Sequence, residues 1–169
     1  MNKARILIIG LSLISLCAWG QEDIKVEKYQ GHGIFKSQKV LDLSYENLKV
    51  LPPIPANQEV EVLILDNNNI EELPRWIGNL KNLKVLSVRN NKLQELNFSL
   101  SRCDSLEQIY LSGNKDLSEM PNLSMCEKLQ IIDVVGTKIN EVPAWVNSME
   151  NMLYFKFSKK ETINRITGR

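Results

Sequence analysis

From Leu83 to Leu96 the large apolar residues fall at Leu83, Leu86, Val88, Leu93 and Leu96, with Asn91 three places after Val88. The first half alternates as a short strand with one buried face does, and the second half brings Leu93 and Leu96 back beneath it through a turn. Such a unit cannot cover its own apolar side, so it requires copies above and below. Stepping back by 23 residues gives Val60, Leu63, Leu65, Asn68, Ile70 and Leu73. Stepping forward by 23 gives Leu106, Ile109, Leu111 and Asn114, then Leu117 and Met120 after one extra residue. Another step gives Leu129, Ile132, Val134, Thr137, Ile139 and Val142. A degenerate copy (Leu41, Leu43, Asn47, Leu48, Leu51) precedes these and a truncated one (Met152, Phe155, Phe157) follows. Six copies therefore begin near Gln38, Val60, Leu83, Leu106, Leu129 and Met152, a period too regular for chance.

These residues resemble the leucine-rich repeat family, whose pattern L-x-x-L-x-L-x-x-N-x-L builds a horseshoe solenoid. Leu73-Pro74 and Val142-Pro143 resemble the class with about 23 residues per repeat and an L-P turn on the convex side. The resemblance covers roughly Ser37 to Ser158. It implies an α/β solenoid, right-handed, with a parallel β-sheet on the concave face and loops or short 3-10 turns on the convex face. It also implies a protein that binds a partner and uses no cofactor, since members of the family mostly bind things.

The repeat has a mechanical reading of its own. Strands that recur in one direction in successive coils must pair as a parallel sheet, and at ~4.8 Å per neighbour six of them span about 24 Å. The opposite side of each coil is bulkier, so the stack bends with the sheet inside. Asn68, Asn91 and Asn114 turn the chain after each strand, and their amides can bond backbone groups that the turn would leave buried and unpaired. Thr137 supplies part of this with its hydroxyl. In the first copy Glu46 holds the place and Asn47 comes one residue late, which weakens the ladder at that edge.

Outside the repeats, residues 1–20 read as a secretory signal peptide: Lys3 and Arg5, the apolar run Ile6 to Leu16, then Ala18 and Gly20 before a cut at Gln21. The apolar run is shorter than the ~20 residues a membrane-spanning helix needs. A buried amphipathic helix is the alternative. Cys17 raises acylation as a second route, because exported bacterial lipoproteins carry a cysteine there, but Leu16 stands where a small residue is required. The expectation is export to the periplasm, the cell surface or the medium, with membrane attachment only if Cys17 is lipidated. Residues 21–37, carrying Ile24, Val26, Tyr29, Ile34 and Phe35, are assigned to cap the first coil; residues 38–158 form the repeat domain and 159–169 a basic tail that caps the last strand. His32, the one histidine, sits between Gly31 and Gly33 without a ligand set and reads as solvated.

Charge narrows the partners. The chain has 21 basic and 20 acidic residues; losing Lys3 and Arg5 with the leader turns the formal charge from +1 to −1. Such a balance provides no field for a polyanion, so nucleic acid is not expected. Cys103 and Cys126 stand at matching places, where Leu80 and Met149 occupy neighbouring copies, so both point inward. Two buried thiols and a disulfide both remain open, because equivalent side chains run parallel while a bridge needs converging Cβ directions. Trp76 and Trp145, also in matching places, read as packing plates on the convex side or as an anchor for a partner.

Function must come from residues that the sheet presents outward. Mid-strand these are Asp42, Ile64, Ser87, Tyr110, Asp133 and Lys156; just after come Ser44, Asp66, Arg89, Ser112, Val135 and Ser158; one place earlier stand Val40, Val62, Val85, Gln108, Ile131 and Tyr154. An apolar stripe beside mixed charges with a central aromatic suits a protein or peptide ligand, and Asp66, Arg89, Tyr110 and Asp133, with Ser87 and Lys156, are the candidate contacts. A monomer is expected. No glycine-rich phosphate loop, zinc spacing, nucleophile elbow or Ser/His/Asp set is present, and an open sheet excludes water poorly, which weighs against a hydrolase or other enzyme. A structural role, with copies stacked end to end, is the other alternative.

Overall fold

In a computed structural model that describes residues 40–54 and 59–157, with the backbone of 162–164, the copies become successive coils of one stack. Each coil contributes one three-residue strand: β1 (Val40–Asp42), β2 (Val62–Ile64), β3 (Val85–Ser87), β4 (Gln108–Tyr110), β5 (Ile131–Asp133) and β6 (Tyr154–Lys156). These six pair in chain order and all in parallel. Register follows from the repeat: Leu41, Leu63, Leu86, Ile109, Ile132 and Phe155 are paired partners in one row. A slip by one residue would turn that whole row to the other side of the sheet.

The leucine rows make the core. Leu63, Leu86, Ile109, Ile132 and Phe155 are wholly buried, as are Leu65, Val88, Leu111 and Val134 two places later. Ile70, Leu93 and Leu117 return from the turn to pack beneath them, and one continuous apolar cluster runs from Leu51 to Phe155. The first coil is the weak end, for Leu41, Leu43 and Leu48 are only partly covered.

On the far side three coils among the described residues form short 3-10 turns, at Arg75–Asn79, Phe98–Arg102 and Ala144–Ser148. The first and third start after Pro74 and Pro143, whose fixed φ suits the entry to a helical turn; the second is capped by Asn97, whose side chain accepts from the Ser99 N–H. Trp76 and Trp145 are half-buried against the core. Gly78 lets two of these turns stack closely, because a Cβ there would sit 2.4 Å from the carbonyl oxygen of Ser99. The chain has two Asn-x-Ser sequons, Asn97-Phe-Ser99 and Asn122-Leu-Ser124; the Asn97 amide is tied to the Leu73 carbonyl of the preceding coil, whereas Asn122 is exposed.

Beyond the expected six strands, β7 (Thr162–Asn164) runs antiparallel on β6. Sequence reasoning gave this tail a capping task but no strand. An antiparallel return needs only a short connection, whereas a seventh parallel strand needs another crossover, and either one covers the open row of backbone groups on β6. The leader, Cys17, the N-terminal cap assigned to residues 21–37 with His32, and Ser158 lie outside the described residues. Among the described residues no helix is long and apolar enough to cross a membrane.

Candidate partner-binding face

Two rows of turn residues fix the strands from which the outward side chains project. The inner row is made by asparagines. Asn68 accepts from the Leu48 N–H (2.9 Å) and donates to the carbonyls of Leu43 (2.8 Å) and Leu65 (2.9 Å). Asn91 accepts from the Ile70 N–H (2.9 Å) and donates to Leu65 (2.9 Å). Asn114 accepts from the Leu93 N–H (3.1 Å) and donates to Val88 (2.8 Å) and Leu111 (2.7 Å). Each therefore joins its own coil to the one before it. Thr137 stays within its coil, its Oγ1 donating to the Val134 carbonyl (2.7 Å) and accepting from the Ile139 N–H (3.1 Å). At the first coil Glu46 is exposed, and Asn68 makes the link from the second coil instead.

The outer row was not foreseen. Tyr45, Asn67, Asn90, Gly113 and Gly136 occupy equivalent places and all have positive φ, from 53° to 82°. Asn and Gly accept that left-handed conformation most readily, and their recurrence one place before the inner row was the available signal. Tyr45 is the outlier, in the exposed first coil. Within the outer row Asn90 Nδ2 donates to Asn67 Oδ1 (3.0 Å), and one place beyond the inner row Asn69 Nδ2 donates to Asn47 Oδ1 (2.9 Å).

On the face itself, the structure brings four of the candidates together. Asp66 Oδ1 accepts from the Ser87 hydroxyl (2.6 Å) and from the Arg89 N–H (2.8 Å), while Asp66 Oδ2 lies 4.0 Å from Arg89 Nη1. The Arg89 guanidinium lies over the Tyr110 ring, 4.2 Å from its centre, and the Tyr110 hydroxyl donates to Gln108 Oε1 (2.8 Å). Gln108 was named only as an outward position; its task of fixing the Tyr110 hydroxyl depends on same-face spacing within β4. Asp133 borders this group as the register partner of Tyr110 on β5, and Lys156, the partner of Asp133 on β6, lies one strand farther. The Asp133 carboxylate accepts from the Val135 N–H (3.1 Å), and Lys156 is exposed.

Accessibility divides the face. Val62, Ile64 and Val85 are at most 2% exposed and form a second apolar cluster, with Val40 and Tyr110 packed against it. Ser87 is wholly buried, which corrects its expected place among the exposed contacts: its hydroxyl is turned to Asp66 between Ile64 and Tyr110. By contrast Arg89 keeps 31% of its side chain exposed and Tyr154 is 45% exposed.

The two remaining cysteines lie inside the stack, away from this face. Cys103 and Cys126 are free and wholly buried. Their Sγ atoms donate to the Ile77 (3.4 Å) and Leu100 (3.5 Å) carbonyls, each in the preceding coil, so they run parallel, as the spacing suggested. Burial pushes Cys103 up to about 12 and Cys126 up to about 11, far from a reactive thiolate. On the rim, Lys84 is raised by its hydrogen bond to Glu61, and Asp116 is lowered by its hydrogen bond to Lys138. Among the described residues no cluster of His, Cys, Asp or Glu is arranged to hold a metal.

Residues 58–115 match the family profile described as "Leucine rich repeat". No curated protein matches the chain. Among solved structures it is similar to a leucine-rich repeat protein of Leptospira interrogans, with a TM-score of 0.57 and 24% identity over 68% of this chain. The match spans 36% of that longer protein, and the likeness is one of fold.

Proposed function

This chain is a leucine-rich repeat protein, and from that premise we propose that it is a non-enzymatic binding module that recognises a protein or peptide through its concave sheet. The observation that carries the reading is the Arg89–Tyr110 stack braced by Asp66 on a sheet whose strands are tied at each turn. A pre-set aromatic and arginine lose little conformational entropy on binding, and these residue types dominate interface energetics. The apolar leader pattern supports export, with Cys17 as the route to membrane attachment. The near-neutral charge supports a partner other than nucleic acid. The test is recovery of partners from a native extract on the immobilised mature chain, against the same chain carrying Tyr110→Ala and Arg89→Glu. Loss of specific partners with the double variant is expected; equal recovery by both forms excludes this face.

A further inference from the structure

We propose, resting on that reading, that the anchor of the face is a carboxylate site at Arg89 and that the partner segment is acidic. Three observations converge. The Arg89 Cζ is held over the Tyr110 ring, 4.2 Å from its centre, and the five N–H groups of a guanidinium fork outward in its own plane toward a planar acceptor. Among the described residues the guanidinium donates no hydrogen bond, and its one acidic neighbour, Asp66, is 4.0 Å away, beyond hydrogen-bond reach, with Oδ1 committed to Ser87 and the Arg89 backbone. The group is thus positioned by the ring and by a long ion pair, with N–H donors that no described residue accepts, and at 31% exposure it is open to a ligand.

The surroundings set the direction of approach. Toward the N-terminal coils the outward positions Val62, Ile64, Val85 and Ser87 offer almost no surface. Toward the C-terminal coils Tyr154 and Lys156 are exposed. A segment seated on Arg89 therefore extends over β4, β5 and β6. Three strand spacings, about 14 Å at ~4.8 Å each, separate the coil of Arg89 from that of Lys156, so a second acidic group has a cation to meet. The Tyr110 ring and the cations Arg89 and Lys156 can meet an acidic peptide there, while the two nearby carboxylates already accept backbone hydrogens, Asp66 from Arg89 and Asp133 from Val135.

The experiment selects displayed random peptides on the full chain and measures binding of a selected peptide by fluorescence anisotropy. Peptides sharing an Asp or Glu are expected, and changing that residue to its amide weakens binding at least about tenfold, since a hydrogen-bonded charged group is lost. Arg89→Lys weakens it as much as Arg89→Ala, because an ammonium keeps the charge but neither stacks flat nor forks; Lys92→Ala, an exposed cation on the turn edge, leaves it unchanged. Binding lost with Tyr110→Ala but indifferent to Arg89→Lys and to the acid-to-amide change overturns the carboxylate site and leaves the binding face standing. Failure to select any peptide, or selected peptides unaffected by Tyr110→Ala with Arg89→Glu, overturns both.

Discussion

The inner asparagine row makes a quantitative prediction that depends on which backbone groups have a second partner. In Asn91→Ala, the Leu65 carbonyl keeps its bond from Asn68 Nδ2 (2.9 Å), and the Arg89 carbonyl keeps the Asn67 N–H (2.9 Å). Only the buried Ile70 N–H is orphaned. One unsatisfied buried group costs about 1–3 kcal/mol. In Asn114→Ala two groups are orphaned, the Leu93 N–H and, among the described residues, the Val88 carbonyl, and Asn114 is wholly buried where Asn91 is not. The expected cost doubles to about 2–6 kcal/mol, a large share of the ~5–15 kcal/mol that holds a typical domain together. Both lesions lie between neighbouring coils, where a stack of repeats draws its cooperativity. Urea unfolding followed by circular dichroism should place the midpoints in the order parent, Asn91→Ala, Asn114→Ala. A curve for Asn91→Ala that superposes on the parent, or a larger loss there than at Asn114, refutes the accounting.

The outer row separates strain from contact. Gly113→Ala and Gly136→Ala each place a side chain at positive φ, costing about 1–2 kcal/mol, but only at Gly113 would the new Cβ fall 2.2 Å from Asn90 Oδ1 and disturb its bond to Asn67; Gly113→Ala should therefore melt lower. The thiols predict an alkaline limb. Both native pKa values are raised, to about 12 and about 11 from 9.0, so the native state holds protons that the unfolded chain releases. Their stabilising effect is complete below about pH 9 and declines by about 1.4 kcal/mol per thiol per pH unit until each native value is reached. Stability measured from pH 8 to 11 should fall, and replacing both cysteines with alanine should flatten that fall while lowering stability at neutral pH; an unchanged slope disproves the assignment. In the core, Leu86→Ala should cost about 2–5 kcal/mol by urea titration, since Leu86 is wholly buried between Leu63 and Ile109.

What could be read from the sequence follows the repeat itself. Leu63, Leu86, Ile109 and Ile132 recur because each must cover its neighbours, so the strands, their parallel order and their register were legible from spacing alone. Asn68, Asn91 and Asn114 were legible for the same reason, as backbone groups in three successive coils demand the same partner. The left-handed row was hidden because Asn67, Asn90, Gly113 and Gly136 share a backbone conformation but no side-chain chemistry. β7 was hidden because it belongs to no repeat. Ser87 was misplaced as an exposed contact because alternation tells which way a residue faces and not what lies against it.

The same logic explains where specificity resides. Inward positions answer to the stack, so their residues are near-interchangeable aliphatics from coil to coil. Outward positions are freer of the stack, and two places after each strand Ser44, Asp66, Arg89, Ser112 and Val135 vary in charge and polarity from coil to coil. A departure from the period on the inner side weakens the solenoid, whereas one on the outer side changes what it meets. Arg89 couples to Tyr110 in the next coil and to Asp66 in the previous one, so its position is set by coil-to-coil register as much as by its own rotamer. Loosening the asparagine row beside it should therefore weaken binding before the fold is lost. Asn91→Ala, tested in denaturant-free buffer where it remains folded, should reduce affinity for a selected peptide while leaving far-ultraviolet circular dichroism unchanged; undiminished affinity would mean that the arginine is held by its local contacts and not by the stack.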